Sequence, residues 1–250
     1  MSSDNPPLAN QPVTVRLAHF IALAGVCSRR QAARLIEQQR ITVNGALGTH
    51  QQRIDPNSSV QVRLDGELLC GQVSPIYWLY HKPVGIDCRL LQHDPTSLCH
   101  QLPPSSHCYP IGRLDKDSRG LLLISNDGTL TQRLLHPDFE HHKCYQVTVD
   151  KPLTRHFLES MTAGLDYGEG LTRPCQLQQL SENQFEICLT EGKKRQIRRM
   201  SRHLGMRVTD LLRTHIGELA LGNLAEHCFR ALTREEYQQL MALKHSQPAT

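Results

Sequence analysis

At 250 residues the chain has room for one large or two unequal domains, and its 39% hydrophobic content supports a core that a 5% aromatic content makes mainly aliphatic. The formal charge of +4 is mildly basic, which admits an RNA partner without establishing one. No apolar run approaches the roughly 20 residues that span a bilayer, so no membrane partner is expected. The first residues (MSSDNPPLANQP) lack the apolar stretch of a secretory signal and read as disordered. The cysteines (Cys27, Cys70, Cys88, Cys99, Cys108, Cys144, Cys175, Cys188, Cys228) include no C-x-x-C pair, which argues against a zinc ribbon or a thioredoxin-like motif. Their odd number without a signal fits reduced thiols in a cytoplasmic protein.

Residues 13–70 read as one compact unit. Val15, Leu17, Phe20, Ile21 and Leu23 lie close to helical spacing in RLAHFIALAG, with Gly25 as the stop. Ser28 opens a second helix, SRRQAARLIEQQ. Ser28 and Gln31 match a capping box, and Ala32, Leu35 and Ile36 give the helix a buried face. Ile41-Thr42-Val43 reads as a strand ending in an Asn44-Gly45 turn, and Val60, Val62 and Leu64 alternate as another, stopped at Asp65-Gly66. Arg16, Arg29, Arg30, Arg34 and Arg40 crowd this segment with Glu37 alone opposing them, whereas a solvated helix face mixes both signs.

A polar linker is expected around GQVSP, residues 71–75, and a larger domain over residues 77–243. That domain mixes strands (YWLY, YQVTV, FEICLT) with shorter helical runs (GTLTQRLLH, RQIRRMSRHLG) and lacks regular βαβ spacing. The fold class expected is therefore α+β, with a mainly antiparallel mixed sheet flanked by helices. No internal repeat is evident, and the tail from Lys244 should fray.

The most informative stretch is PIGRLDKDSRGLLLISNDG, residues 110–128. Asp115 and Asp117 sit in a charge-dense loop before Leu121-Leu122-Leu123-Ile124, which reads as a buried strand. Loops on rigid elements often carry active sites, yet a loop aspartate more often caps or makes a turn, and the residues alone do not separate these two carboxylates. GKKRQIRRM, from Gly192 to Met200, reads by itself as a phosphate-binding helix face or a solvated basic run. Tyr145 reads by itself as an ordinary strand aromatic. His136, His141 and His142 could suggest a metal, but no further ligand spacing supports one and they read as polar loop. No G-x-x-x-x-G-K-[ST] loop is present, so nucleoside triphosphate chemistry is not expected.

Gly112-Arg113-Leu114-Asp115, followed by S-x-G-L-L-L and N-D-G, resembles the signature of pseudouridine synthases, in particular the bacterial ribosomal RNA synthases that carry an N-terminal S4 domain. Lys82-Pro83 with Gly85 is similar to the family's K-P-x-G, although His81 stands where Asn is commoner. Lys143-x-Tyr145 is similar to K-x-Y, and GKKRQIRRM to N-R-Q-I-R-R-M with Lys194 in place of Asn. Val208, Leu211 and Arg213, with Ile216-Gly217 behind them, resemble V-x-x-L-x-R. The N-terminal unit resembles the S4 RNA-binding domain through G-V-C-S-R-R and V-N-G, so the likeness runs from Arg16 to Tyr237. PIGRLDKDS and VTVDKP lean toward the subgroup that modifies large-subunit ribosomal RNA.

The resemblance implies an isomerase that breaks the uridine N-glycosidic bond, turns the base and rejoins it through carbon, with no cofactor and no metal. Asp115 would be the essential carboxylate, attacking the sugar or removing a sugar proton. A carboxylate closed off from water tends to hold its proton, and a neighbouring guanidinium reverses that; the resemblance gives this part to Arg198. Tyr145 would stack on the flipped base, Arg113 would fill the gap left in the RNA, and Leu211 would pack beneath. Lys193, Lys194, Arg195, Arg199 and Arg202 would meet RNA phosphates, as would Arg16, Arg29, Arg30 and Arg34 of the N-terminal module. The expected partner is ribosomal RNA, naked or in an assembly intermediate, with a tRNA loop as the alternative, and the protein is expected to be a monomer. Two rivals remain. A non-catalytic S4-type RNA-binding protein would have no need of Asp115, Tyr145 and Arg198 together. A glycoside hydrolase would use Asp115 and Asp117 as its two carboxylates.

Overall fold

The computed structural model describes residues 14–69, 74–103, 107–135 and 142–242. The N-terminal start, most of the expected linker, His136 and His141 of the polar loop, and the tail lie outside them. The chain forms two compact units, divided principally between Ser74 and Pro75. No helix among the described residues is long and apolar enough to cross a membrane.

The first unit runs β1 (Val15–Arg16), α1 (Leu17–Leu23), α2 (Arg29–Glu37), β2 (Ile41–Val43), β3 (Ala46–Leu47), β4 (Arg53–Ile54), β5 (Val62–Leu64) and β6 (Glu67–Leu68). α1 is shorter than the helical spacing suggests, because Val15 and Arg16 are taken up by antiparallel pairing with Ile54 and Arg53. Ser28 caps α2, its Oγ accepting from the Gln31 N–H at 3.2 Å. Leu17, Ile21, Leu35 and Ile36 close a core with Ile41, Ile54 and Val62. Asn44-Gly45 (φ 49° and 85°) and Asp65-Gly66 (φ 50° and 88°) have the left-handed backbone that two-residue hairpins require. Asp65 also binds the Arg40 guanidinium, so Glu37 is not the sole acid facing the arginines.

The second unit runs β7 (Tyr77–Lys82), β8 (Tyr109–Ile111), β9 (Arg119–Ser125), α3 (Gly128–Leu135), β10 (Lys143–Val149), α4 (Arg155–Ala163), β11 (Gln176–Gln179), β12 (Gln184–Leu189), α5 (Gln196–His203), β13 (Val208–Ile216), β14 (Leu219–Ala220), β15 (Phe229–Ala231) and α6 (Arg234–Ala242). The sheet order is β11-β12-β10-β13-β9-β7-β15, with β14 on β13 and β8 on β9. Its pairings are antiparallel except β13 with β9, which gives the mainly antiparallel mixed sheet expected.

That parallel seam joins two halves. In one, α4 and α5 cover the sheet through Phe157, Met161, Ile197 and Met200 against Val147 and Phe185. In the other, α3 and α6 cover it through Leu130, Leu134 and Leu240 against Leu79 and Leu121. The seam itself matches only Leu212 with Arg119 and Arg213 with Gly120. Gly120 is required there: its φ is 112°, and a Cβ would stand 2.4 Å from the Arg213 carbonyl oxygen.

The cysteines depart from the expectation of reduced thiols. Cys144 and Cys188 lie directly opposite each other on β10 and β12 and form a disulfide. Strand pairing brings opposite Cα atoms within disulfide reach, a proximity that a separation of 44 residues along the chain does not display.

Candidate active site

A cleft of about 890 Å³ opens at the seam. Its floor is the sheet. Lys143 and Tyr145 are two apart on β10, and Leu211 and Arg213 two apart on β13, so pleating turns each pair to one face, and register sets Tyr145 opposite Arg213. One wall is the loop from β8 to β9, which carries Arg113, Leu114 and Asp115; the other is the approach to α5, from Gly192 to Gln196. A turn fixes Asp115, whose backbone carbonyl accepts from the Ser118 N–H at 3.0 Å. Among the described residues its carboxylate has no ion-pair partner, which leaves both oxygens to a ligand.

Several cations are sunk into the structure around this floor. Lys82, opposite Gly120 on β7, is 0% exposed and donates from Nζ to the Pro83 carbonyl at 2.8 Å. Burial pushes its ammonium down to about 8, against the pull of Cys88 and of the Asp117 and Asp115 carboxylates. Burial, with the Arg213 charge, also pushes Lys143 down. Arg213 is 3% exposed; its Nε donates to the Leu121 carbonyl at 2.7 Å, and its Nη2 has no partner among the described residues.

Arg198 does not pair with Asp115. Its Nε lies 3.5 Å from Oδ2 of Asp117, and its Nη2 donates to the Asp117 carbonyl at 2.6 Å and to Ser118 Oγ at 3.3 Å. It therefore grips the loop two residues beyond Asp115, while its own position on α5 is tied to β13 through the Val208 carbonyl at 3.2 Å. Arg195 clasps the same Asp117 carboxylate bidentately, at 2.9 and 2.5 Å. Burial would raise Asp117, but the Arg195 hydrogen bonds and the Arg198 charge outweigh it and hold the carboxyl below its ordinary value. Asp117 lines a separate cavity of about 260 Å³ with Arg195, Arg198, Arg202 and Arg207. Asp117 is thus taken up by two arginines and does not line the cleft with Asp115, which argues against the paired-carboxylate hydrolase.

The catalytic half of the chain matches the RNA pseudouridylate synthase family over residues 76–203, and the first unit matches the S4 domain over residues 15–58. This chain belongs to the RNA pseudouridylate synthase family. It is 36% identical over 232 residues to the dual-specificity RNA pseudouridine synthase RluF of Escherichia coli strain K12, covering 92% of this chain and 79% of that protein. It is 34% identical over 239 residues to the ribosomal large subunit pseudouridine synthase B of Bacillus subtilis strain 168, covering 91% and 96%. A crystal structure of a pseudouridylate synthase matches with a TM-score of 0.65 at 28% identity, covering 90% of this chain and 99% of that one. The activity that goes with the family is an isomerisation, uridine to pseudouridine within RNA.

The basic run of this synthase is more committed than its composition suggests. Lys193 donates from Nζ to the carbonyls of Glu169, Gly170 and Leu171, each at 3.2 Å, so its ammonium is engaged in pinning that loop. That engagement competes with the phosphate contact expected of it. Arg199 pairs with Glu169 and lies 4.8 Å over the Tyr167 ring, and Arg195 is held by Asp117. Lys194 and Arg202 are exposed and have no ion pair among the described residues, and Arg113 is exposed at the cleft. On the first unit Arg16, Arg29, Arg30 and Arg34 are likewise exposed without ion pairs among the described residues. The sequence marks Lys82 and Arg213 as motif positions but gives them no task. The signal was a charged residue at an inward position of an apolar strand, since such residues are buried only when paired or in use.

Proposed function

We propose that this synthase isomerises a uridine of large-subunit ribosomal RNA, with Asp115 as its catalytic carboxylate. The cleft carries this reading: the uncommitted Asp115 carboxylate, on a braced loop, lines it together with Tyr145 and Leu211. A uridine extruded from folded RNA stacks on Tyr145, with Leu211 beneath, and presents its sugar to Asp115. The C1′–N1 bond breaks and its electron pair leaves with the base. The sugar is then captured by an Asp115 oxygen or gives a proton to it. The base turns and C5 bonds to C1′ as the C1′–oxygen bond to Asp115 breaks or, on the other route, as Asp115 returns its proton to the sugar. The proton lost from C5 is balanced by one gained at N1. No group is oxidised or added.

Arg198 acts in this scheme through the loop backbone, holding the segment that carries Asp115. Exposed Arg29, Arg30 and Arg34 supply affinity for phosphates, and Lys194 and Arg113 meet the RNA beside the cleft. The ribosomal substrate is supported by the name of the Bacillus subtilis relative and by the S4 match. Ribosomal RNA is met where ribosomes are built, which supports action in the cytoplasm.

Two experiments test the proposal. Pseudouridine mapping of total RNA from cells with and without the gene should show one or a few large-subunit sites lost; loss only in a tRNA would overturn the substrate. Asp115→Asn keeps the shape and removes the ionisable oxygen, so isomerisation should vanish while RNA binding and melting temperature hold. Activity above a few per cent of wild type would overturn the assignment of Asp115.

A further inference from the structure

Arg213 is buried in the cleft floor with its guanidinium only half used. Nε serves the Leu121 carbonyl, while Nη2 is shut from water and meets no acceptor among the described residues. An orphaned donor on a buried cation is costly, and its persistence points to a ligand that completes it. The surroundings favour a negative one. Lys143 lies on the same face, and the other acids of the lining are engaged elsewhere: Asp87 by Arg89 at 2.6 Å, and Glu191 by the Arg173 N–H at 3.1 Å and Gln196 Nε2 at 2.6 Å.

The reaction makes such a ligand. When the C1′–N1 bond breaks, the electron pair stays with uracil, whose charge spreads over N1, O2 and O4. The base sits over Tyr145, and Tyr145 faces Arg213 across the β10–β13 pairing. We propose that Arg213 is a further catalytic residue whose guanidinium shifts toward the bound base, so that Nη2 donates to a carbonyl oxygen of the detaching uracil and holds the charge that develops there. Donor and acceptor are both present before the bond breaks, but their attraction grows with the negative charge, so the contact favours the transition state over the bound uridine. It relaxes when C5 bonds to C1′ and N1 takes up a proton. This inference rests on the assignment of Asp115 and Tyr145 to the site.

The test is a single-turnover comparison at saturating RNA, using the full-length enzyme, Arg213→Gln and Arg213→Lys. Each is given RNA bearing uridine, 2-thiouridine or 4-thiouridine at the target. Sulfur is the weaker acceptor, and the ratio of wild-type to variant rate cancels the intrinsic effect of each thio group. On uridine, Arg213→Gln should slow the rate about 10²-fold, as loss of one oxyanion donor does, with the half-saturating RNA concentration nearly unchanged. On one of the two thio-RNAs that ratio should shrink by about tenfold, naming the oxygen held, and Arg213→Lys should show the same pattern with a smaller ratio. An identical ratio on all three RNAs would overturn the proposal. So would a raised half-saturating concentration at an unchanged rate, which would place Arg213 on an RNA phosphate. Should Arg213→Gln not fold, the ratios for Arg213→Lys decide alone. A wild-type enzyme that forms no pseudouridine in unsubstituted target RNA would overturn the parent assignment along with this one.

Discussion

Asp117→Asn separates bracing from chemistry, because Asp117 holds two arginines and lines a different cavity from Asp115. At about 4 Å a unit charge pair is worth about 1 kcal/mol in water and about 4 kcal/mol at an effective dielectric of 20. The Asp117 and Arg195 side chains are 44% and 41% exposed, so solvent screening puts that pair near the low end, about 0.5–1 kcal/mol. Arg198 is only 13% exposed, and losing the carboxylate leaves that cation less compensated, adding roughly another 1 kcal/mol. The hydrogen bonds from Arg198 to the Asp117 carbonyl and Ser118 Oγ survive in the Asn variant, so the loop loosens without collapsing. A loss of about 1–2 kcal/mol in stability is expected, with a single-turnover rate down by about tenfold if most of the loosening reaches Asp115. Asp115→Asn should instead abolish the reaction with stability intact. The pH dependence has a definite sign. Asp117 titrates below its unfolded value near 3.9, so its contribution is present above that value and is lost as pH falls through the lower folded value. Melting temperatures of wild type and Asp117→Asn should therefore differ at pH 7 and draw together only as pH falls below the unfolded value. Equal rates and equal melting temperatures at pH 7 would refute the bracing role of Asp117.

Gly120→Ala should cost about 2 kcal/mol or more and lower activity, because the new Cβ meets the Arg213 backbone and φ is positive; calorimetry showing a destabilisation below about 0.5 kcal/mol would contradict the seam geometry. Replacing Arg29 and Arg30 by Gln should lower the slope of log affinity against log salt by about one unit for each phosphate no longer neutralised, with the saturated rate unchanged, whereas Lys193→Ala should leave that slope alone because its ammonium already serves three carbonyls. A reduced slope for Lys193→Ala, in filter-binding titrations from low to high salt, would restore it to the RNA face.

Legibility from sequence followed the range of the interaction. The Ser28 cap, the Asn44-Gly45 and Asp65-Gly66 turns and the buried faces of α2 and β9 rest on neighbours a few residues away, and each was readable in the residues themselves. Motif resemblance carried further, because it names positions such as Asp115, Tyr145 and Leu211 that an unbroken sheet then brings to one cleft. It failed where side-chain direction depends on partners far along the chain. Arg198 and Asp117 are 81 residues apart, and nothing in RQIRR or GRLDKDS tells whether a guanidinium reaches Oδ2 of Asp117 or Asp115. Lys193 and Arg195 sit in one basic run yet serve different acceptors, the 169–171 carbonyls and Asp117. Charge density along the chain thus overstates the surface free to bind phosphate. The same limit hid Arg213: its isolation becomes visible only once Leu121, Gly120 and Tyr145 surround it. The glycine that lets β9 approach β13 also seats Arg213 in the cleft floor, so the requirement for Gly120 and the placement there of a guanidinium with Nη2 left over have one structural origin.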